Sequence, residues 1–140
     1  MENGNFDLAL GELRKAEILA GSNNELKMQV ITMRADVYYR MKDFGEAFRT
    51  YDEAMKISNS DLTVMNNYAY YLAEQDMRLK EAEKMARTVI EKEKKNNTFL
   101  DTYAWVLYKR GKVREAARIM ERIIADRKST RLNSSHRIRS

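Results

Sequence analysis

The sequence predicts an all-α protein whose helices pair and stack along the chain as a solenoid. The first observation is an internal repeat: Tyr103-Ala104 repeats Tyr68-Ala69 at a separation of 35 residues, and Ala116 repeats Ala82 at a separation of 34. The second is an apolar stripe of helical period that several segments share. The third is the alternation of these segments with others that are rich in aromatic residues. A self-similar unit of about 34 residues made of two helices is typical of helical solenoids.

Four segments carry the same apolar stripe. In Phe44–Ile57 the apolar or small residues lie at offsets 0, 3, 4, 7, 10 and 11 from the first residue, and Val113–Ala125 has the same offsets. The segment that begins at Leu79 departs from this row only at Glu83, and Phe6–Ala20 departs from it only at the last position. Spacing of this kind predicts a helix with one buried face.

Three helices of another kind lie between these segments: roughly Glu25–Met41, Leu62–Gln75 and Thr98–Arg110. Gly21 and Gly111 lie where a helix is expected to end in a left-handed residue. Three polar pairs offer side-chain oxygens that could cap the helices after them: Asn23-Asn24, Asn59-Ser60 and Asn96-Asn97. The chain is therefore predicted to have seven helices. Their short connections make consecutive helices antiparallel.

Small side chains recur where paired helices are expected to cross. Two helices approach to about 8–10 Å only if the side chains at the crossing are small. The alanines that supply this are Ala35, Ala69 and Ala104 on the first helix of each pair, and Ala47, Ala82 and Ala116 on the second. We predict that the last three lie at the same depth in the core.

The composition argues against several classes of protein. The 140 residues contain no cysteine, so a disulfide, a catalytic thiolate and a Cys-ligated zinc site are excluded. The single histidine, His136, lies near the end of the chain, and there is no glycine-rich phosphate loop. We therefore predict no enzyme activity, no cofactor and no metal site. Glu81, Glu83, Glu91 and Glu93 alternate with lysines at helical spacing and are interpreted as a solvated face. No apolar run reaches the roughly 18 residues that span a bilayer, and the compartment is left open.

Residues 126–140 stand apart from the rest of the chain. They hold five of the 26 basic residues, and without them 21 basic and 20 acidic residues remain, so the net charge falls from +5 to +1. The segment abandons the apolar period of the preceding helix. Asp126–His136, DRKSTRLNSSH, looks like the translation of a sequencing-adaptor read-through. We interpret residues 126–140 as a non-native or disordered tail, and the alternative is a natural basic tail. On the first interpretation the array is cut off and belongs to a longer protein.

Residues of each helix pair also match a known repeat pattern of large, small and aromatic side chains. The matches are Ile31, Ala35, Tyr38, Phe44, Ala47, Tyr51 and Ala54; then Met65, Tyr68, Ala69, Leu72, Leu79, Ala82 and Ala86; then Leu100, Tyr103, Ala104, Leu107, Gly111, Val113 and Ala116. In this pattern the chain resembles the tetratricopeptide repeat family over about residues 4–125. It departs from the family in having no proline to close a repeat, in Arg34 at a usually apolar position, and in Lys42 and Asp76 where glycine is common.

The resemblance implies a right-handed superhelix of antiparallel helix pairs over residues 1–125. It would consist of a half repeat at 4–21 and full repeats at about 24–59, 60–95 and 96–126. In such arrays the first helices line a concave groove in which family members bind a peptide or protein segment. Carried over by position, the groove would be lined by Gln29, Thr32, Asp36, Tyr39, Arg40, Thr63, Asn66, Asn67, Tyr70, Glu74, Thr98, Asp101, Trp105, Tyr108 and Lys109.

Four aromatic residues of this set are expected to contribute most to binding, because large rings with a polar tip dominate binding hot spots. They are Tyr39, Tyr70, Trp105 and Tyr108; the alternative for each is packing against a neighbouring repeat. One subset of the family clamps a C-terminal carboxylate of chaperones. Of its five clamp positions only Asn67 fits here, and Asp36 stands where a donor is needed.

The sequence therefore predicts a non-catalytic protein–protein interaction scaffold, part of a longer protein, with a partner whose identity the residues do not give. The alternative is a basic helical-repeat module that binds RNA or an anionic surface. That alternative depends on the tail or on a one-sided Lys/Arg stripe. Solenoids need polar terminal caps, so self-association through the uncapped ends is a further expectation.

Overall fold

The computed structural model describes residues 2–139, and the side chains of residues 4–131. The described residues contain no strand and form seven helices: α1 (Glu2–Ala20), α2 (Asn24–Arg40), α3 (Phe44–Ile57), α4 (Leu62–Glu74), α5 (Leu79–Lys92), α6 (Asn97–Lys109) and α7 (Val113–Arg139). The predicted fold class and the predicted order of helices are confirmed.

The helices form two compact units, Met1–Met65 and Asn66–Ser140, with the boundary inside α4. In the first unit α1 packs against α2, and α2 packs against α3. In the second unit α5 packs against α6, and α6 packs against α7. Packing between consecutive helices is what a helical repeat requires. The right-handed superhelix stays a prediction.

The ends of α2, α4 and α6 share one geometry. After each helix a residue adopts a positive φ: Lys42 at 64°, Asp76 at 55° and Gly111 at 85°. The next backbone N–H then donates to a carbonyl five residues earlier, at 2.8–3.0 Å, in the pairs Asp43–Tyr38, Met77–Leu72 and Lys112–Leu107. These hydrogen bonds satisfy carbonyl groups at the helix end that have no partner within the helix. Lys42 and Asp76 adopt it although a side chain in the left-handed region costs roughly 1–2 kcal/mol.

Asparagine and aspartate side chains cap the helix starts. Asn23 and Asn96 accept hydrogen bonds from the backbone N–H groups three residues later, at 3.1 and 3.2 Å, as predicted. For α4 the predicted pair Asn59-Ser60 is wrong. The carboxylate of Asp61 accepts from the N–H of Val64 at 3.1 Å, because α4 begins at Leu62 and the capping position is the residue directly before it.

The recurring alanines are buried. Ala35, Ala47, Ala69 and Ala82 are 0% exposed, Ala104 is 3% exposed and Ala116 is 6% exposed. The predicted equal depth of Ala47, Ala82 and Ala116 is confirmed. In the second unit Leu100, Ala104 and Leu107 of α6 form a core cluster with Ala116, Ile119 and Ile123 of α7.

One edge of the stripe on α7 is not buried. Val113 and Ile124 are about half exposed, and Ala117 is exposed as well. The sequence placed all three on the buried face of the helix. The difference arises because no described residue covers this edge of α7, whereas α6 covers the edge that holds Ala116 and Ile123.

Glu83 corrects the prediction of a solvated acidic face. Its side chain is buried on α5, while Glu81, Glu91 and Glu93 are exposed. The Glu83 carboxylate lies 2.9 Å from the guanidinium of Arg87, 3.1 Å from Nζ of Lys112 and 3.4 Å from Arg110. Glu83 occupies a position of the apolar stripe, so it is buried when the helices pack. The turn after α6 places Arg110 and Lys112 next to its carboxylate.

Arg34, the other charged residue at a usually apolar position, is accommodated in the same way. Its side chain is 13% exposed and lies 3.6 Å from Glu17 of α1 and 3.4 Å from Glu53 of α3. Breaking a buried pair by removing one partner is costly, because the remaining charge has lost its water. These ion pairs therefore favour one arrangement of each helix against its neighbours.

The last helix is longer than predicted. The apolar period ends at Ala125, and residues 126–140 were expected to be disordered if not artefactual, but α7 continues to Arg139. The segment contains no glycine or proline that would stop a helix. Asp126 also accepts a hydrogen bond from the side-chain amide of Asn97 at 2.7 Å. The non-native origin of the segment stays a prediction, and the side chain of His136 lies outside the described residues.

Candidate functional site

The predicted groove residues of the first unit lie on α2 and at the start of α4. Gln29, Arg40 and Thr63 are exposed, whereas Thr32, Asp36 and Tyr39 are partly buried. The Thr32 hydroxyl donates to the carbonyl of Met28, one turn back in the same helix, at 2.8 Å. Only part of this predicted set therefore presents free polar groups at the surface.

Tyr39 has packing contacts within the first unit. Its ring centroid lies 5.1 Å from that of Phe44, in an edge-to-face arrangement, and 6.3 Å from that of Phe48. Phe44 and Phe48 stack on each other at 6.4 Å. These contacts join the end of α2 to the start of α3, so Tyr39 contributes to packing. Packing was the alternative to a binding role for Tyr39 in the sequence analysis.

Asp36 is held by a side chain from α3. The hydroxyl of Tyr51, which is fully buried, donates to the Asp36 carboxylate. Partial burial raises the pKa of Asp36 above its ordinary value of 3.8, and the Tyr51 hydrogen bond and the charge of Arg40 offset this only in part. Burial disfavours the charged form because it removes water from the carboxylate.

Replacing Asp36 with asparagine is expected to raise the free energy of unfolding at neutral pH. A carboxyl whose folded-state pKa is raised adds stability below its unfolded-state pKa, and that stability is lost as the pH rises through the folded-state value. Asparagine keeps an oxygen that can accept from Tyr51 but carries no charge. The advantage of Asp36→Asn should therefore shrink as the pH falls toward 3.8. Urea unfolding across this range measures it. Asp7→Asn, at an exposed position on α1, makes the same change of charge and serves as the control.

In the second unit the predicted residues differ in depth. Asn66 is buried and Asn67 is partly buried, and their side-chain amides lie 3.5 Å apart. Trp105 and Lys109 are partly buried. The exposed members of the set are Tyr70, Glu74, Thr98, Asp101 and Tyr108.

Three rings of the second unit form a continuous aromatic row, made of Tyr70 on α4 and Trp105 and Tyr108 on α6. The centroids of Tyr70 and Trp105 are 6.4 Å apart with planes inclined by 33°, and those of Trp105 and Tyr108 are 5.8 Å apart and stacked at 21°. Residues three apart share one face of a helix, which places Trp105 beside Tyr108. Tyr70 is 36% exposed and Tyr108 is 54% exposed.

Charged groups surround the aromatic row. The Lys109 ammonium lies 5.4 Å from the centroid of Trp105 and 3.0 Å from the Asp76 carboxylate. Burial, a hydrogen bond to Glu74 and the charges of Glu74 and Asp101 raise the pKa of Tyr70 above 10.0. Within the described part of the chain Asp101 makes no ion pair or side-chain hydrogen bond. The row therefore lies in an environment with an uncompensated negative charge.

An open pocket of about 400 Å³ adjoins the row between α6 and α7. We call it the α6–α7 pocket; α6 lines it with Asp101, Trp105 and Tyr108, and α7 lines it with Val113, Ala117 and Met120. Its size is that of a small-ligand or side-chain pocket. Sequence reasoning missed the α7 residues because it assigned them to the core. The signal for them was that α7 is the last of the seven described helices, so no described helix after it covers that part of its stripe.

The Trp105 indole has an unusual position in this site. Its Nε1–H is buried and has no hydrogen-bond partner among the described residues. A buried donor without a partner costs about 1–3 kcal/mol. The ring therefore holds its place through contacts with Tyr70, Tyr108 and Lys109 and not through its polar atom.

The described side chains contain no group of three or more acidic, histidine or cysteine residues arranged to hold a metal ion. None of the described helices is long and apolar enough to cross a membrane. Comparison of the sequence with protein-family models gives no match, and comparison with curated proteins gives none either.

Proposed function

We propose that the chain is a tetratricopeptide-type interaction module, part of a longer protein, that binds a peptide or protein segment at the aromatic row and has no catalytic activity. The observation that carries this proposal is the row itself. Three large rings lie next to one another on one side of the second unit, and two of them are substantially exposed.

The chemistry of the row supports binding more than packing. Tyrosine and tryptophan offer a large contact area with few rotatable bonds, so they lose little conformational entropy when a partner covers them. Tyr108 leaves more than half of its surface in water, although its neighbour Leu107 is fully buried. The ring of Tyr108 is therefore available to a partner without rearrangement of the core.

Each member of the site then has a defined contribution. Tyr70 and Tyr108 contact the bound segment, and Trp105 lies between them. Thr98 supplies a polar contact along α6 at the rim, and Asp101 lines the α6–α7 pocket. Polar contacts at a rim are individually weak and set orientation more than affinity.

Selection of peptides on the immobilised 140-residue chain tests this proposal. Peptides from a random twelve-residue display library are synthesised, and their affinities are measured by fluorescence anisotropy. Replacing Tyr70 and Tyr108 together by alanine is expected to weaken binding by roughly 30-fold or more, since each hot-spot ring contributes about 1–2 kcal/mol. Far-UV circular dichroism should stay unchanged.

A matched control replaces two exposed apolar residues of the first unit, Ile18 and Leu19, by alanine. This variant should bind the selected peptides as tightly as the parent chain. Peptides that bind the Tyr70/Tyr108 variant with undiminished affinity would contradict the proposal. Salt-sensitive binding of RNA or heparin, in the absence of any peptide binding, would favour the basic-module alternative if it persisted undiminished after removal of residues 126–140.

A further inference from the structure

The α6–α7 pocket combines an apolar floor with a single charge. Val113, Ala117 and Met120 form the floor on the α7 side, and the one charged side chain that lines the pocket is Asp101. Asp101, Trp105 and Tyr108 follow one another at spacings of four and three residues. A carboxylate and two aromatic faces therefore lie in line along one side of α6.

The charges beside the pocket are unevenly paired. The Lys109 ammonium lies over the Trp105 ring and occupies the cation position at that face. The charge of Lys109 is balanced by Asp76 at 3.0 Å. Asp101 has no such partner among the described residues, so the pocket has one negative charge in excess.

We infer that the α6–α7 pocket binds an arginine side chain of the bound segment, an inference that rests on the proposed function. The aliphatic stem of the arginine lies on Val113, Ala117 and Met120. The stem also packs against the exposed ring of Tyr108, and the planar guanidinium donates hydrogen bonds to the Asp101 carboxylate.

Other side chains fit this pocket less well. An acidic side chain would be repelled by Asp101. An apolar side chain would displace water from Asp101 and offer no donor in exchange, which is unfavourable. A lysine carries the charge, but it lacks the planar group that bonds a carboxylate with two donors at once.

Trp105 is the only tryptophan of the chain, so its indole N–H resonance and its fluorescence report directly on the pocket. The probe is the blocked pentapeptide Gly-Gly-Arg-Gly-Gly, titrated into the 140-residue chain. Matched pentapeptides carry citrulline, lysine or leucine at the centre. We expect a saturable change for the arginine peptide in the millimolar range, with affinities at least roughly tenfold weaker for citrulline and leucine.

Two variants separate the pocket from general electrostatics. Asp101→Asn should weaken the arginine peptide roughly tenfold and leave the citrulline peptide unchanged. Glu91→Gln removes an exposed carboxylate of the same unit that does not line the pocket, and it should change neither affinity. Unchanged chemical shifts of the remaining backbone would show that both variants are folded.

Several results would overturn the inference. These are equal weakening by Asp101→Asn and Glu91→Gln, leucine binding as tightly as arginine, or no response of Trp105 to the arginine peptide. Selected library peptides that depend on Tyr108 but contain no arginine would overturn the inference while leaving the proposed function in place. Selected peptides whose affinity does not change when Tyr70 and Tyr108 are replaced would contradict both the inference and the proposed function.

Discussion

Replacing Leu107 with alanine is expected to lower the free energy of unfolding by about 2–5 kcal/mol. Leu107 is fully buried on α6 and belongs to the core cluster that joins α6 to α7. Truncation removes apolar contacts and leaves a cavity that the paired helices can close only in part. Urea unfolding followed by far-UV circular dichroism measures the change.

The adjacent residue provides the control. Tyr108→Ala removes a larger side chain from the same helix, yet it should cost only about 0.5–1.5 kcal/mol, because the ring is 54% exposed and what it loses is the stack on Trp105. The two substitutions thus separate a folding residue from a binding residue one position apart. A loss of stability for Tyr108→Ala as large as that for Leu107→Ala would mean that Tyr108 belongs to the core and would weaken its assignment to binding.

Tyr51→Ala is expected to be the most damaging single substitution in the first unit, at about 3–5 kcal/mol. The Tyr51 ring is fully buried on α3, and its hydroxyl donates to Asp36 of α2. The substitution therefore removes both a large apolar volume and a hydrogen bond that joins two helices.

Tyr51→Phe separates these two contributions. It keeps the ring but removes the donor from a partly buried carboxylate, which should cost about 1–3 kcal/mol. Thermal and urea unfolding of the two variants give the comparison. If Tyr51→Phe proved as stable as the parent chain, the bond to Asp36 would contribute nothing to the packing of α2 on α3.

The sequence was sufficient to predict a helix wherever an apolar stripe begins directly after a capping residue. α3 has its predicted bounds, Phe44–Ile57, because Asp43 caps its start and the apolar row stops at its end. The ends of α1 and α7 were predicted less well. α1 begins at Glu2, before the first apolar residue of its stripe, and α7 continues past Ala125. An apolar row marks the packed part of a helix and does not show how far the helix extends into solvent.

The candidate site was predictable only in part, for a physical reason. Helical spacing on α6 places Trp105 beside Tyr108, and the repeat pattern gives Tyr70 the equivalent face of α4. The contacts of Glu83 with Lys112, 29 residues away along the chain, depend on which turn meets which helix. No local pattern carries that information, and for the same reason the α6–α7 pocket was not predicted.

The buried Glu83 also bears on how such a chain could be re-engineered. The same stripe position holds the phenyl ring of Phe48 in α3 and a carboxylate in α5. Grafting α3 into the place of α5 would set a ring against Arg110 and Lys112 and leave both cations without their counter-ion. The helix pairs are therefore not interchangeable. A consensus repeat that averaged them would lose the Glu83 carboxylate, and with it the ion pairs that join α5 to the turn after α6.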